Sequence, residues 1–271
     1  MERLSGLDAM YLYLETPSAP LNVCCVVELD VTAMPGGYSF DTLRSELGSR
    51  LLAVPEFRKK LAGGQLNIDH PVWVECAGVD LSRHLKRIAV PAPGGRAEVA
   101  EVCAHIAALP LDRGHPLWEV WAVENSATPE LLTLIVKAHH SLVDGVGGAN
   151  IMARLCSVEP DLPVPQGHPD PAPAVNALAI AASGVVGVAA RSWRLTSLLP
   201  ATFQTVVRTV RRARTGQTMA APFTAPKTAF NSPHSGRRNV AFVELSLDEV
   251  KAVKDYYGTT VNDVVMALCA G

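Results

Sequence analysis

From Leu131 to His140 the chain reads LLTLIVKAHH, an apolar, β-branched run that predicts a strand. Side chains alternate across a strand, which puts Leu132, Leu134, Val136, Ala138 and His140 on one face and Thr133, Lys137 and His139 on the other. His140 is therefore expected to extend the buried face and His139 the more polar one. The same reading predicts strands over Asn22–Leu29 (NVCCVVEL), Val72–Glu75, Trp118–Glu124 and Asn239–Leu245 (NVAFVEL). Helical patterns cover Phe40–Leu52, Ala97–Ala108, Leu247–Tyr256 and Val261–Ala270. Strands and helices interleave without an internal repeat, so the fold class is mixed α/β. After the long strand, Asp144-Gly145 supplies a turn, and Asp144 is placed to cap a helix suggested by residues 149–155.

With 271 residues and 48% apolar content, the chain can bury one large core or two smaller ones. Its main break is the proline-dense stretch from Glu159 to Pro173, an extended linker by composition. Ala174 to Ala190 follows without a charge, but it is rich in Ala and Gly and short for a membrane span of about twenty strongly apolar residues. With Trp193, Leu195, Leu198, Leu199, Phe203, Val206 and Val207 it reads as a helical pair, whose apolar residues either cover the core or meet a lipid surface; core packing is the favoured expectation. No secretory signal is visible: Glu2 and Asp8 interrupt the start and no sustained apolar run follows.

Near-neutral net charge conceals an asymmetry. Between Pro171 and Val243 there is no Asp or Glu but nine basic residues, Arg191, Arg194, Arg208, Arg211, Arg212, Arg214, Lys227, Arg237 and Arg238, which leaves a balance of about −11 elsewhere. The basic segment either attracts anions such as phospholipid headgroups or nucleotide phosphates, or forms a solvated helix face. No nucleic-acid-binding motif or aromatic interleaving accompanies it. The six cysteines, Cys24, Cys25, Cys76, Cys103, Cys156 and Cys269, form no CxxC pair and suit reduced thiols.

Three chemistries compete for Lys137-Ala138-His139-His140-Ser141-Leu142-Val143-Asp144-Gly145. A metal would want both histidines on one ion, but adjacent strand residues point to opposite faces and no third ligand has a usual spacing. A serine nucleophile would want a Gly-x-Ser-x-Gly elbow, and Ser141 beside His140 is poorly placed for activation. The third is His140 as a general base, with Asp144 fixing the local backbone or ring. For an isolated histidine, a hydrogen-bonded core residue would be the better reading; Gly145, Gly147 and Gly148 allow close backbone approach without forming a dinucleotide fingerprint.

The HHxxxDG spacing resembles the active-site motif of the CoA-dependent acyltransferase superfamily, and the doubled histidine resembles the bacterial wax ester synthase/diacylglycerol acyltransferase family. Four further segments are similar to that family in the same order: Leu4-Ser5-Gly6-Leu7-Asp8-Ala9-Met10-Tyr11, Pro116-Leu117-Trp118-Glu119, the Asn/Gly/Arg-rich Asn231–Arg238, and Thr260-Val261-Asn262-Asp263-Val264-Val265. The resemblance covers nearly the whole chain and implies a CoA-dependent acyltransferase-like mixed sheet flanked by helices. It divides the sequence into an N-terminal acyltransferase domain (1–157), the Pro-rich linker (158–173), a basic helical segment (174–238) and the start of a C-terminal domain (239–271).

The activity implied is acyl transfer from acyl-CoA to diacylglycerol or a long-chain alcohol, without a cofactor or metal. His140 is implied as base, Asp144 as a brace for the turn, and His139 as a weaker contributor. Asn262 and Asp263 are implied as site contributors, with a helix cap as the plain alternative. Pro116, Leu117 and Trp118 line or support the channel, or simply pack the core. Family members continue past the Asn-Asp motif, whereas this sequence stops at Gly271 inside a marginal helix, which suggests a truncated or split protein. Two alternatives follow: a half that needs a separately encoded C-terminal domain, or a lipid-surface binding protein without turnover. The expected location is the cytoplasm, peripheral to the inner membrane or lipid droplets.

Overall fold

A computed structural model describes residues 1–63, 68–143, 155–156, 176–190, 207, 211 and 235–271. Two sheets organise the first half. The smaller has the order β1 (Glu2–Arg3), β4 (Val72–Glu75), β3 (Lys59–Ala62), all antiparallel. The larger has the order β2 (Asn22–Asp30), β7 (Leu131–His139), β6 (Trp118–Glu124), β5 (Leu85–Ala89). Its β2–β7 and β6–β7 pairs are antiparallel and β5–β6 is parallel, so the sheet is mixed.

Helices cover both faces of the larger sheet. The parallel β5–β6 pair requires a crossover, and the chain makes it through α4 (Arg96–Ala108), which lays Val99, Val102, Cys103 and Ile106 against Val123 and Ile135. On the opposite face, α2 (Phe40–Ala53) and the turn after it bring Leu51, Val54 and Phe57 onto Trp118, Val120 and Ala138. Gly48 permits the close approach of α2 to the short α3 (Leu81–His84), since a Cβ there would meet Leu81 Cδ1 at 2.6 Å. α1 (Gly6–Leu14) is capped by Ser5, whose side chain accepts from the Asp8 amide; Ala9 and Leu12 bury its inner face with Trp73 and Leu117.

The predicted alternation of β7 is present, with Leu134, Val136 and Ala138 on the α2 side and Ile135 on the α4 side. The polarity assigned to the second face is not. Lys137 is fully buried and His139 is 1% exposed, whereas His140 is only half-buried. The cause is α4: its last carbonyls, Ile106 O (2.9 Å) and Leu109 O, accept from Lys137 Nζ, so the ammonium caps a helix C-terminus inside the protein.

The segment 239–245 differs from its expected strand. Val240 and Phe242 pack against the Cys24–Val26 side of the core while their neighbours are exposed, a period-two pattern, but no β ladder forms there among the described residues. Residues 177–190 form a helix, α5, that docks on the smaller sheet. Ile180 packs with Val72 and Val74, and Arg3 donates to Ile180 O (3.3 Å) and Ser183 Oγ (2.7 Å). Its other face leaves Leu178, Val185 and Val186 exposed, so this helix has both a core face and an open apolar one. No helix among the described residues is long and apolar enough to cross a membrane. α6 (Leu247–Tyr257) and α7 (Val261–Ala270) pair with each other across Gly258, whose φ of 62° closes α6 in the left-handed region that favours glycine; neither helix has a buried residue. All six cysteines are free.

Candidate active site

The histidine pair sits at the end of β7, between the two antiparallel neighbours. The His139 amide donates to Leu117 O (2.9 Å) and the His140 amide to Leu21 O (2.9 Å), which fixes the backbone from both sides. His139 Nδ1 accepts from the Ser141 amide (3.0 Å) and lies 2.7 Å from Ser141 Oγ. Since an amide cannot accept, this bond places the ring proton of neutral His139 on Nε2, which faces Glu15 Oε2 at 3.6 Å. Ser141 thus hydrogen-bonds one edge of the ring, while on the other edge Nε2 is buried beside Glu15 without a hydrogen-bond partner among the described residues.

His140 is arranged differently. Its ring lies flat on Tyr11, with centroids 4.4 Å apart and planes 11° apart, and its buried Nδ1 has no hydrogen-bond partner among the described residues. A buried ring nitrogen without a partner is costly in a purely structural histidine.

α1 and the turn after it serve both rings. Tyr11 and Glu15 are four residues apart, so one side of the helix and its C-cap present the aromatic ring to His140 and the carboxylate to His139. Glu15 is itself held by Arg113 (Nη2 to Oε2, 2.7 Å) and by the Leu21 amide on Oε1 (3.1 Å), while Arg113 also donates to Leu12 O (2.7 Å). Tyr11 belongs to the opening motif, and Ser141, weighed in the sequence as a nucleophile, instead hydrogen-bonds His139; nothing in the sequence singles out Glu15 or Arg113 beyond the four-residue spacing from Tyr11 to Glu15.

Burial holds the His139 pKa below the ordinary imidazole value against the opposing Glu15 carboxylate, with Arg113 and His140 also pushing it down. Burial does the same to His84, against its bond to Trp118 O (2.7 Å). Both rings therefore stay neutral in the native state at pH values where the unfolded chain has begun to bind protons. Stability should be insensitive to these groups above about pH 6.5 and fall as pH drops from there toward their lowered native pKa values. Urea midpoints between about pH 7 and 5.5 test this, and His84→Phe should reduce the slope; identical slopes would contradict it.

Pro116, Leu117 and Trp118 lie beside the pair. Leu117, fully buried, supplies the carbonyl for His139, and Trp118 is in register with Ala138. Trp118 stacks on His84 (centroids 4.3 Å) and donates Nε1–H to Phe57 O (2.8 Å). Pro116 and Trp118 also border a cavity of about 280 Å³ with His84 and His115. Asn262 and Asp263 stand at the start of α7 and are exposed. Asp263 completes a capping box: Oδ2 accepts from the Thr260 amide (2.9 Å) and hydroxyl (2.7 Å), and its own amide donates to Thr260 Oγ1 (3.2 Å). Among the described residues these contacts do not join them to His140. Asp144 and Gly145, and the expected helix at 149–155 apart from Leu155, lie outside the described residues. No cluster of three or more metal-ligating side chains occurs among the described residues.

Residues 4–265 match the wax ester synthase/diacylglycerol acyltransferase catalytic domain. The chain belongs to that family. Among family relatives, a Mycobacterium tuberculosis protein provisionally named diacylglycerol O-acyltransferase Rv1760 is 55% identical over the whole chain, which covers 54% of that protein. A second, Rv0221, provisionally named in the same way, is 35% identical over the whole chain and 57% of its own length. The chain thus spans about half the length of the curated relatives it matches. In three dimensions it is similar to the family's wax ester synthase/diacylglycerol acyltransferase from Marinobacter aquaeolei VT8, with a TM-score of 0.66 and 27% identity over 99% of this chain and 59% of that one.

Proposed function

We propose that the chain carries the catalytic base of an acyl-CoA-dependent O-acyltransferase that esterifies diacylglycerol or a long-chain alcohol. The observation that carries this reading is His140, a family-motif histidine just past the end of β7 that stacks on Tyr11 and whose ring makes no hydrogen bond or ion pair among the described residues, whereas the neighbouring His139 has Ser141 on Nδ1 and the Glu15 carboxylate beside Nε2. An imidazole nitrogen of His140 takes the proton of the acceptor hydroxyl as that oxygen attacks the thioester carbonyl. The tetrahedral intermediate collapses, the C–S bond breaks, and the imidazolium returns its proton to the coenzyme A thiolate. No acyl-enzyme is needed. His139 acts as a positioning residue, because Ser141 hydrogen-bonds its Nδ1 and the Arg113-held Glu15 carboxylate faces its Nε2 at 3.6 Å. Asp144 braces the turn, Gly145 lets substrate approach the backbone, and Asn262 and Asp263 support the site from the following domain. The reading needs no metal, cofactor or nucleic acid.

A second reading is favoured by α6 and α7, which leave Tyr256, Tyr257, Val265, Met266 and Leu268 exposed. In it, turnover requires a further C-terminal domain packed on those helices. One assay covers both: a long-chain acyl-CoA labelled in the acyl group, offered with diacylglycerol and with a fatty alcohol, to the chain alone and with the C-terminal half of a relative. Label entering triacylglycerol or wax ester supports acyl transfer, and dependence on the added half supports the second reading. Label entering neither ester in either case contradicts both.

A further inference from the structure

Between α4 and residues 236–240 lies a cavity of about 430 Å³, within the size range of small-molecule sites. Successive turns of α4 contribute Ala97, Glu101, Ala104 and His105 to one wall, and Arg237 and Arg238 form the other. Two guanidiniums face one carboxylate, so the lining favours an anion. The alanines leave a flat apolar wall beside it.

Both walls are anchored next to the histidine pair. Arg238 donates to Ser18 O (3.1 Å), in the same connection whose Leu21 carbonyl holds the His140 amide. The C-terminal end of α4 is held by Lys137, through Ile106 O and Leu109 O, and by Asn22 Nδ2 on Leu109 O (3.2 Å). Asn22 is in register with His139. Arg238 also donates to Ser235 O and Arg237 O, which leaves it a scaffold for the segment, while the Arg237 guanidinium makes no hydrogen bond or ion pair among the described residues.

We infer that this cavity holds the phosphorylated adenosine end of the thioester donor, with Arg237 on a phosphate and the adenine against the α4 alanines. The inference rests on the acyl-CoA-dependent reading and adds to it where the donor's anionic end binds. A planar guanidinium suits bidentate contact with phosphate, and the cavity's two walls are tied through Ser18, Leu109 and Asn22 to the segments that flank the histidine pair.

Calorimetry with adenosine 3′,5′-bisphosphate on the chain tests the site without turnover. Saturable binding is expected, weakened about tenfold in Arg237→Gln, the order of one lost charged hydrogen bond. Ala97→Trp, at an exposed rim position, should also weaken it. No binding by the unmodified chain, or equal binding by Arg237→Gln, overturns the inference. So does Arg237-dependent binding to phosphatidylglycerol vesicles or inorganic phosphate with none to the bisphosphate. In a catalytically competent form, Arg237→Gln should raise KM for acyl-CoA about tenfold at unchanged kcat; wild-type KM overturns the site while leaving the catalytic reading intact. Arg237-dependent bisphosphate binding without any acyl transfer upholds the site and defeats the catalytic reading instead.

Discussion

Replacing His140 with alanine is expected to cut acyl transfer by about 10²–10⁴-fold, the usual worth of a general base, while folding stays nearly intact. The two effects separate because of how the ring is held. Its Nδ1 has no hydrogen-bond partner among the described residues, so removing it leaves no protein group there newly orphaned. What is lost structurally is the stacking on Tyr11, about 0.5–1.5 kcal/mol. Turnover by His140→Ala at more than about a tenth of the unmodified rate would exclude a role for this ring in proton transfer. The variant is best compared by kcat and by thermal midpoint on the same preparation.

Trp118→Ala is expected to have the largest effect on stability, a loss of about 3–5 kcal/mol. Trp118 is 1% exposed, stacks on His84, contacts Phe57 at a centroid distance of 5.0 Å, and satisfies the Phe57 carbonyl. Its removal opens a void on the α2 face of the sheet and leaves that carbonyl without a donor. Trp118→Phe keeps most of the volume and should cost about 1–3 kcal/mol for the Phe57 carbonyl left without its donor. Denaturant melts of the two variants check this. A Trp118→Ala protein of nearly normal stability but altered acyl-chain preference would make Trp118 a channel wall rather than a core anchor.

Particular residues show why the sequence disclosed some of this and withheld the rest. The β7 alternation follows from backbone geometry alone and holds along the strand, but the strand ends at His139, and it is His139 that is buried and His140 that is half-buried, the reverse of the expected polarity. What each face meets is a long-range matter. Lys137 looked polar and outward until α4, about thirty positions away, placed its terminal carbonyls over it. Glu15 and Arg113 were hidden for the same reason, since they are 98 positions apart and nothing local in either segment marks their pairing beside His139. The NVAFVEL run carries a strand's alternation, and Val240 and Phe242 pack inward, but among the described residues it pairs with neither edge strand of the larger sheet, β2 or β5. The uncharged 177–190 stretch could not be assigned to core or surface by composition because it has one face of each kind.

The most direct measurement compares kcat for His139→Gln and His140→Gln, at pH values where both are fully folded, with and without added imidazole. The geometry predicts that His140→Gln loses turnover and regains part of it with imidazole, in step with the neutral fraction of the added base. His139→Gln should lose stability but keep most of its kcat. Loss of turnover in His139→Gln with imidazole rescue, or full turnover in His140→Gln, would contradict the assignment of the base to His140.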